Sequence, residues 1–137
     1  MSLITAKDGN CSLCPSLVAS RTQIVEATYV GPGAWRVVLI GEAPGRVEDH
    51  LGENFIGDSG QKLRYQLAEV GIRSYILLNA IRCWPLNNRT PKKDAVENCN
   101  GWLLCDMVRI KPEVVVILGR TAASAMAPLL PQMSDLG

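Results

Sequence analysis

The sequence predicts an α/β fold, a three-layer αβα sandwich with a central parallel sheet. Three apolar segments rich in β-branched residues follow one another along the chain: "WRVVLIGE" (35–42), "SYILLNAI" (74–81) and "PEVVVILG" (112–119). Segments of helical character separate them, and strands that alternate with helices form a parallel sheet covered on both faces. A length of 137 residues suits one domain with a single core.

The first half of the chain holds one predicted strand and one predicted helix. Before the strand, the sequence after the first cysteines predicts a short helix or an extended arm, with a turn at 31–33. The continuous apolar run at 35–42 is typical of a strand buried on both faces. An acidic, glycine-rich loop follows at 43–59, and a helix is predicted from about 60 to 70.

The second half repeats this order twice. The strand at 74–81 leads into an irregular segment at 82–91, which has a proline near each end. A helix is predicted from 92 to 110, since a proline directly before it suits a first helical turn. The strand at 112–119 is followed by a short helix at 120–130. Right-handed crossovers place the ends of all three strands at one edge of the sheet, where α/β proteins bind ligands.

Composition and charge exclude several classes of protein. The chain is 47% hydrophobic and 20% charged with a net charge of +1, so it is globular and has no global positive field. No apolar run is long enough to span a bilayer. The first residues, "MSLITAKDGN", lack the layout of a signal peptide. We therefore expect a cytoplasmic protein with no membrane partner.

The five cysteines predict a metal site more readily than disulfides in a reducing compartment. Cys11 and Cys14 form a C-x2-C pair, Cys83 follows the second strand, and Cys99 lies in the long helix. Cys105 lies about 240° further round that helix at ~100° per residue, so it cannot easily share a metal with Cys99. The best four-thiolate set is therefore the first four cysteines. The alternative is that all five are small buried apolar residues.

Several motifs in one order resemble a known family. They are "CSLCPSLVASRTQIV", "LIGEAPGRVEDHLGENFIGDSGQKL", "YILLNAIRCWPLNNRTP", a cysteine sixteen residues after Cys83, and "IKPEVVVILGRTA". Together they span most of 11–123 and resemble the iron–sulfur uracil-DNA glycosylases of family 4. The resemblance implies a base-excision repair enzyme that binds DNA, flips uracil into a pocket and hydrolyses its N-glycosidic bond.

The resemblance also implies a cofactor and the residues that read the base. It implies a [4Fe-4S] cluster on Cys11, Cys14, Cys83 and Cys99, while four thiolates also suit zinc. By the resemblance Phe55 stacks on uracil, although the residues alone favour a core position for it. Asn79 would read the base, because its amide donates and accepts as the polar edge of uracil requires.

The loop after the first strand carries the candidate catalytic groups. Glu42 and Glu48 are candidate carboxylates that stabilise a cationic sugar or orient water, and the sequence does not rank them. The loop residues that would shape backbone N–H groups around the base are Gly41, Ala43, Pro44 and Gly45. Arg89 and Arg120 are candidate phosphate contacts, on single- or double-stranded DNA that contains uracil.

The family pattern continues beyond the motifs found here. The resemblance implies a further strand and a His-Pro-Ser-like motif, whereas this sequence ends in "APLLPQMSDLG". We therefore expect 1–137 to form one uracil-DNA glycosylase-like domain that lacks this strand and motif, with slow excision. The alternative is a catalytically weak or silent module that binds uracil or nucleic acid, of phage origin or accessory to a polymerase.

Overall fold

The computed structural model describes residues 11–131, which form a four-stranded sheet with the order β1-β3-β2-β4. The strands are Thr28–Val30 (β1), Val37–Gly41 (β2), Tyr75–Asn79 (β3) and Val114–Ile117 (β4). The helices are Pro15–Ser20 (α1), Arg46–Leu51 (α2), Asp58–Glu69 (α3), Lys93–Ile110 (α4) and Arg120–Met126 (α5), and a 3-10 turn covers Leu86–Asn88. As the three apolar runs predict, β2 pairs in parallel with both β3 and β4.

The sheet has an antiparallel edge strand that the sequence did not predict. Strand β1 pairs with β3 in the antiparallel direction, with Thr28 opposite Leu77. It is three residues long and only partly buried, so it lacks the apolar run by which a buried strand is recognised. The parallel centre of the sheet is therefore confirmed, and the complete sheet is mixed.

The acidic loop contains a helix, α2, that was also not predicted. Its first turn is closed by Glu48, whose side chain accepts a hydrogen bond from the backbone N–H of Gly45 at 3.1 Å. Asp49 is buried and accepts from the backbone N–H of Thr22 at 2.8 Å, which fixes the helix against the N-terminal arm. Six residues are too few to give a clear apolar period, and tertiary contacts instead hold this helix in place.

Helices cover both faces of the sheet, which confirms the three-layer fold. Successive residues of a strand face opposite sides, so Val38 and Ile40 pack on one face and Leu39 on the other. The first face is covered by α1, α4 and α5, and the second by α3 through Leu67. Within the described part of the chain, no helix is both long and apolar enough to cross a membrane.

The ends of the parallel strands meet at one edge, as predicted. Beyond β3, the backbone N–H of Ala80 donates to the carbonyl of Gly41 at 2.8 Å. Beyond β4, the N–H of Leu118 donates to the carbonyl of Ile40 at 2.9 Å. The chain segments that leave the three strands therefore start side by side, and the candidate site is built from them.

Candidate active site and cysteine cavity

Phe55 and Asn79 meet above Gly41 at this edge of the sheet. A Cβ atom added to Gly41 would lie 2.6 Å from Cζ of Phe55 and 2.7 Å from Oδ1 of Asn79. Such distances are too short for a real Cβ, so only glycine lets the ring and the amide approach the end of β2 together. The two residues that the sequence assigns to base binding are thus brought into one place.

Phe55 has a strained backbone that its neighbours hold in place. Its φ is +55°, in the left-handed region that bulky residues seldom adopt, at a cost of about 1–3 kcal/mol. Its carbonyl accepts a hydrogen bond of 2.8 Å from Nε of Arg64 on α3. A side chain at Gly60 would collide with the Phe55 backbone, so this glycine allows α3 to approach closely. The ring is therefore fixed from behind rather than left mobile in the loop.

The carboxylate of Glu48 accepts hydrogen bonds from the backbone on both sides of the segment 46–55, which ends at Phe55. Its Oε1 accepts from the N–H of Gly45, and its Oε2 accepts from the N–H groups of Ile56 at 2.9 Å and Gly57 at 2.6 Å. Three donors occupy this carboxylate, so it ties the start of α2 to the residues just after Phe55. The N–H of Gly45 is thereby engaged within the loop.

Glu42 has a different environment, at the end of β2. Its Oε2 accepts a hydrogen bond of 2.7 Å from the hydroxyl of Thr121, in the first turn of α5. The side chain is half-buried, and its Oε1 has no hydrogen-bond partner among residues 11–131. Glu42 is thus oriented by one neighbour and retains an oxygen that can accept a proton.

Asn54 is a component of the site that the sequence did not indicate. It is 1% exposed, and its Oδ1 accepts a hydrogen bond of 2.8 Å from Nδ2 of Asn79. An asparagine between Glu53 and Phe55 in a polar loop has the pattern of an ordinary turn residue. Thr121 was missed for a similar reason, because its partner Glu42 lies 79 positions away along the chain.

The four predicted cysteine ligands line one cavity. Cys11 and Cys14 lie at the turn into α1, Cys83 follows β3, and Cys99 is on α4. Burial raises the pKa of the Cys83 thiol, and burial raises the pKa of Cys99 to about 12. Cys105 is half-buried on α4 and does not line this cavity.

Polar side chains around the cavity point at sulfur. An Arg21 N–H donates to Sγ of Cys83 at 3.3 Å, and the same guanidinium donates to the carbonyl of Cys11 at 2.8 Å. Nδ2 of Asn98 donates to Sγ of Cys14 at 3.5 Å. Such donors stabilise thiolate charge and orient metal ligands.

Both candidate cofactors would have to be held by this set of thiols. Within residues 11–131, no three Cys, His, Asp or Glu side chains come close enough together to hold one metal ion. A zinc site needs four thiolates about 2.3 Å from a single ion. The cysteines surround a shared cavity, and four thiolates suit either a single zinc ion or an iron–sulfur cluster in which each iron takes one thiolate.

The two candidate phosphate contacts lie in different parts of the structure. Arg120 is exposed at the start of α5, next to Thr121. Arg89 is exposed and lines a groove of about 400 Å³ between α1 and the start of α4, together with Lys92. Cys14 lines both this groove and the cysteine cavity, so the groove that Arg89 lines adjoins that cavity.

The fold defines an α/β protein with its candidate site at the edge of the sheet where the parallel strands end. Comparison with known proteins shows the family of the chain. Residues 28–136 match the family model described as the uracil DNA glycosylase superfamily. The chain belongs to the uracil DNA glycosylase superfamily.

Individual relatives are also similar to the chain. It is 38% identical over 128 residues to a type-4 uracil-DNA glycosylase of Thermotoga maritima, covering 90% of this chain and 64% of that protein. It is 40% identical over 116 residues to the type-4 uracil-DNA glycosylase of Archaeoglobus fulgidus, covering 83% of this chain and 57% of the relative. A type-4 uracil-DNA glycosylase of Pyrobaculum aerophilum is 35% identical over 130 residues, covering 92% of this chain and 64% of that protein. The chain thus spans less than two thirds of the length of these relatives.

Proposed function

We propose that this protein removes uracil from DNA by hydrolysing its N-glycosidic bond, as a uracil-DNA glycosylase. The observation that carries the proposal is the convergence of Phe55 and Asn79 above Gly41, next to the carboxylate of Glu42. The names of its relatives, type-4 uracil-DNA glycosylases, support the same activity. A target base must leave the DNA stack to reach such a site.

Phe55 and Asn79 would bind the flipped base. An aromatic ring fixed by the backbone contacts of its loop offers a flat apolar surface on which a pyrimidine can stack. Asn79 donates one Nδ2 proton to Asn54, which leaves a second proton and Oδ1 for the base. These two groups match O4 and N3–H of uracil.

Glu42 would act on the sugar and on water. As the C1′–N1 bond breaks, its electron pair leaves with uracil and the sugar becomes cationic, so a nearby carboxylate stabilises the transition state. Water then attacks C1′ and gives a proton to Oε1 of Glu42. We assign this role to Glu42 because Glu48 already accepts three backbone hydrogen bonds. Glu48 then positions the loop that carries Phe55.

Arg120 and Arg89 would contact DNA phosphates on either side of the flipped nucleotide. Both are exposed, in the chain segments that follow β3 and β4. Arg120 adjoins the catalytic end of the site, and Arg89 extends the surface towards the cysteine cavity. Contacts to phosphate position a protein on DNA without reading its sequence.

We further propose that Cys11, Cys14, Cys83 and Cys99 hold a [4Fe-4S] cluster. The shared cavity and the donors of Arg21 and Asn98 aimed at sulfur support it. When bound, the cluster would supply four bonds that join the N-terminal arm, the segment after β3 and α4. Its role here is therefore structural.

An excision assay tests the activity. Uracil-containing single-stranded DNA is incubated with excess protein, and released uracil and abasic sites are measured, with thymine-containing DNA as control. We expect uracil release that is lost in Asn79→Ala, and none from thymine. A well-folded protein that forms no abasic product from uracil DNA would contradict the proposal.

A further inference from the structure

Asn54 makes hydrogen bonds with every polar atom of its amide. Its Nδ2 donates to the backbone carbonyls of Glu26 at 2.8 Å and Leu77 at 3.1 Å. Its Oδ1 accepts from Nδ2 of Asn79 at 2.8 Å. A fully paired amide in a buried position has one stable orientation, because any rotation leaves polar atoms unpaired.

The two carbonyls decide which way the amide of Asn54 points. A carbonyl oxygen can only accept, so the atom that faces both of them must be the nitrogen. Oδ1 of Asn54 is then forced to face Asn79. An acceptor at that place requires a donor opposite, so Nδ2 of Asn79 is fixed towards Asn54.

The orientation of Asn79 sets the order of donor and acceptor that a base meets. In the fixed orientation, a flipped base meets one N–H of Nδ2 and the acceptor Oδ1, which match O4 and N3–H of uracil. Rotating the amide by half a turn would exchange them and match cytosine, whose N4 donates and whose N3 accepts. That rotation would also place Oδ1 of Asn79 against Oδ1 of Asn54, two acceptors without a proton between them.

We propose that Asn54 is a specificity-determining residue, which holds the Asn79 amide in the orientation that accepts uracil and rejects cytosine. This inference rests on the proposed function. Asn54 touches no substrate and acts through Asn79, so it is a positioning residue. Oδ1 of Asn54 would act in two ways. It attracts Nδ2 of Asn79 in the orientation that binds uracil, and it repels Oδ1 of Asn79 in the rotated orientation.

Asn54 also stabilises the fold, and the test must separate the two roles. Its backbone N–H donates to the hydroxyl of Thr28 at 2.9 Å, and its side chain joins the loop to β3 through Leu77. Asn54→Asp and Asn54→Leu are matched in shape and both lose the donors to Glu26 and Leu77. Only the aspartate keeps an acceptor for Asn79. Both variants are therefore less stable than the parent, but only the leucine variant loses the acceptor that orients Asn79.

The experiment measures base selectivity in the full chain with its metal content intact. Single-stranded oligonucleotides carry one 2′-fluorinated deoxyuridine or deoxycytidine, which resist hydrolysis because fluorine destabilises a sugar cation. Dissociation constants are measured below the melting temperature of each variant. Asn54→Ala is a second variant without an acceptor, for use if the leucine does not fold. Asn100→Leu controls for the loss of an unrelated amide, because Nδ2 of Asn100 donates to the carbonyl of Ala125 on α5.

We expect the preference for uracil over cytosine to fall by about tenfold or more in Asn54→Leu or Asn54→Ala. It should persist in Asn54→Asp and Asn100→Leu, despite a lower melting temperature of the aspartate variant. If the leucine or alanine variant retains the preference for uracil, the role of Asn54 is overturned and the proposed function stays intact. The same conclusion follows if Asn54→Asp loses the preference. A parent protein with no preference for uracil would overturn the proposed function, and the role of Asn54 with it.

Discussion

The hydroxyl of Thr121 donates a 2.7 Å hydrogen bond to Oε2 of Glu42. The bond joins the first turn of α5 to the end of β2, so two segments far apart in sequence set the direction of one carboxylate. A half-buried carboxylate with one oxygen held and the other available has the geometry of a general base. The proposed catalytic end of the site therefore depends on α5 as much as on the acidic loop.

Removing this hydrogen bond should slow the chemical step. Thr121→Val keeps the shape but not the donor, and a hydrogen bond to a charged group contributes ~1.5–3 kcal/mol, so we expect about a tenfold lower single-turnover rate of excision. Thr121→Ser keeps the donor and should stay near the parent rate. Uracil binding should be unchanged in both. Equal losses of rate in the two variants would show that the hydroxyl does not position Glu42.

Substitution of Glu42 should lower activity, whereas substitution of Glu48 should lower stability. Glu42→Gln should lower the excision rate by about 10²-fold or more at nearly unchanged stability, because a neutral amide cannot take a proton from water. Glu48→Gln should instead destabilise the fold by about 1–3 kcal/mol, since its new NH₂ group faces backbone N–H donors. Excision rates and anaerobic thermal melts measure both effects.

An exposed glutamate provides the control for this pair. Glu97 lies 4.0 Å from Lys93 on the surface of α4, where an ion pair contributes little. Glu97→Gln should leave rate and stability unchanged. If Glu48→Gln loses activity while keeping its full melting temperature, the assignment of catalysis to Glu42 is wrong.

Gly41→Ala should damage base binding more than stability. The added methyl would meet Phe55 and Asn79 at 2.6 and 2.7 Å, so the ring, the amide or both must move. We expect the preference for uracil to fall by about tenfold, measured by binding to uracil- and thymine-containing single strands. Gly71→Ala is the control, because it is strained by a φ of +83° but meets no atom within 4 Å. A similar loss of preference in both variants would indicate general destabilisation.

Two cysteines of the same helix should differ in their effect on metal content. Anaerobically purified protein should carry iron and sulfide in about a 4:4 ratio. Cys99→Ala should abolish this content, because Cys99 lines the cavity, while Cys105→Ala should retain it. Elemental analysis and the visible absorption spectrum measure the outcome. Stoichiometric zinc in the parent protein would contradict the cluster, and equal loss of iron in both variants would contradict the ligand set.

The sequence predicted what depends on local pattern. Strands β2, β3 and β4 are apolar β-branched runs, and a parallel arrangement follows from the helices between them. Strand β1 and helix α2 were missed, because each is short and held by contacts such as Asp49 with Thr22 rather than by its own period. A weak local signal cannot reveal an element that tertiary contacts stabilise.

The candidate site was predicted only in part, because some of its residues are defined by tertiary contacts and not by local pattern. Motif resemblance assigned Phe55 and Asn79, and the structure brings both to Gly41. It could not rank Glu42 against Glu48, because the difference lies in which backbone N–H groups each carboxylate meets. Asn54 could not be found at all, since its place in the candidate site depends on a hydrogen bond with Asn79, 25 residues away along the chain.

The most direct test of a uracil pocket at Phe55 and Asn79 is the affinity for uracil compared with thymine. Single-stranded oligonucleotides that differ only in one 2′-fluorinated uracil or thymine are bound to the parent protein and to Asn79→Ala. We expect the parent to bind the uracil strand at least about tenfold more tightly, because a pocket built for uracil would have no room for the C5 methyl group of thymine. Asn79→Ala should remove most of the difference. Equal affinity for both strands, unchanged in Asn79→Ala, would show that this edge of the sheet holds no base pocket.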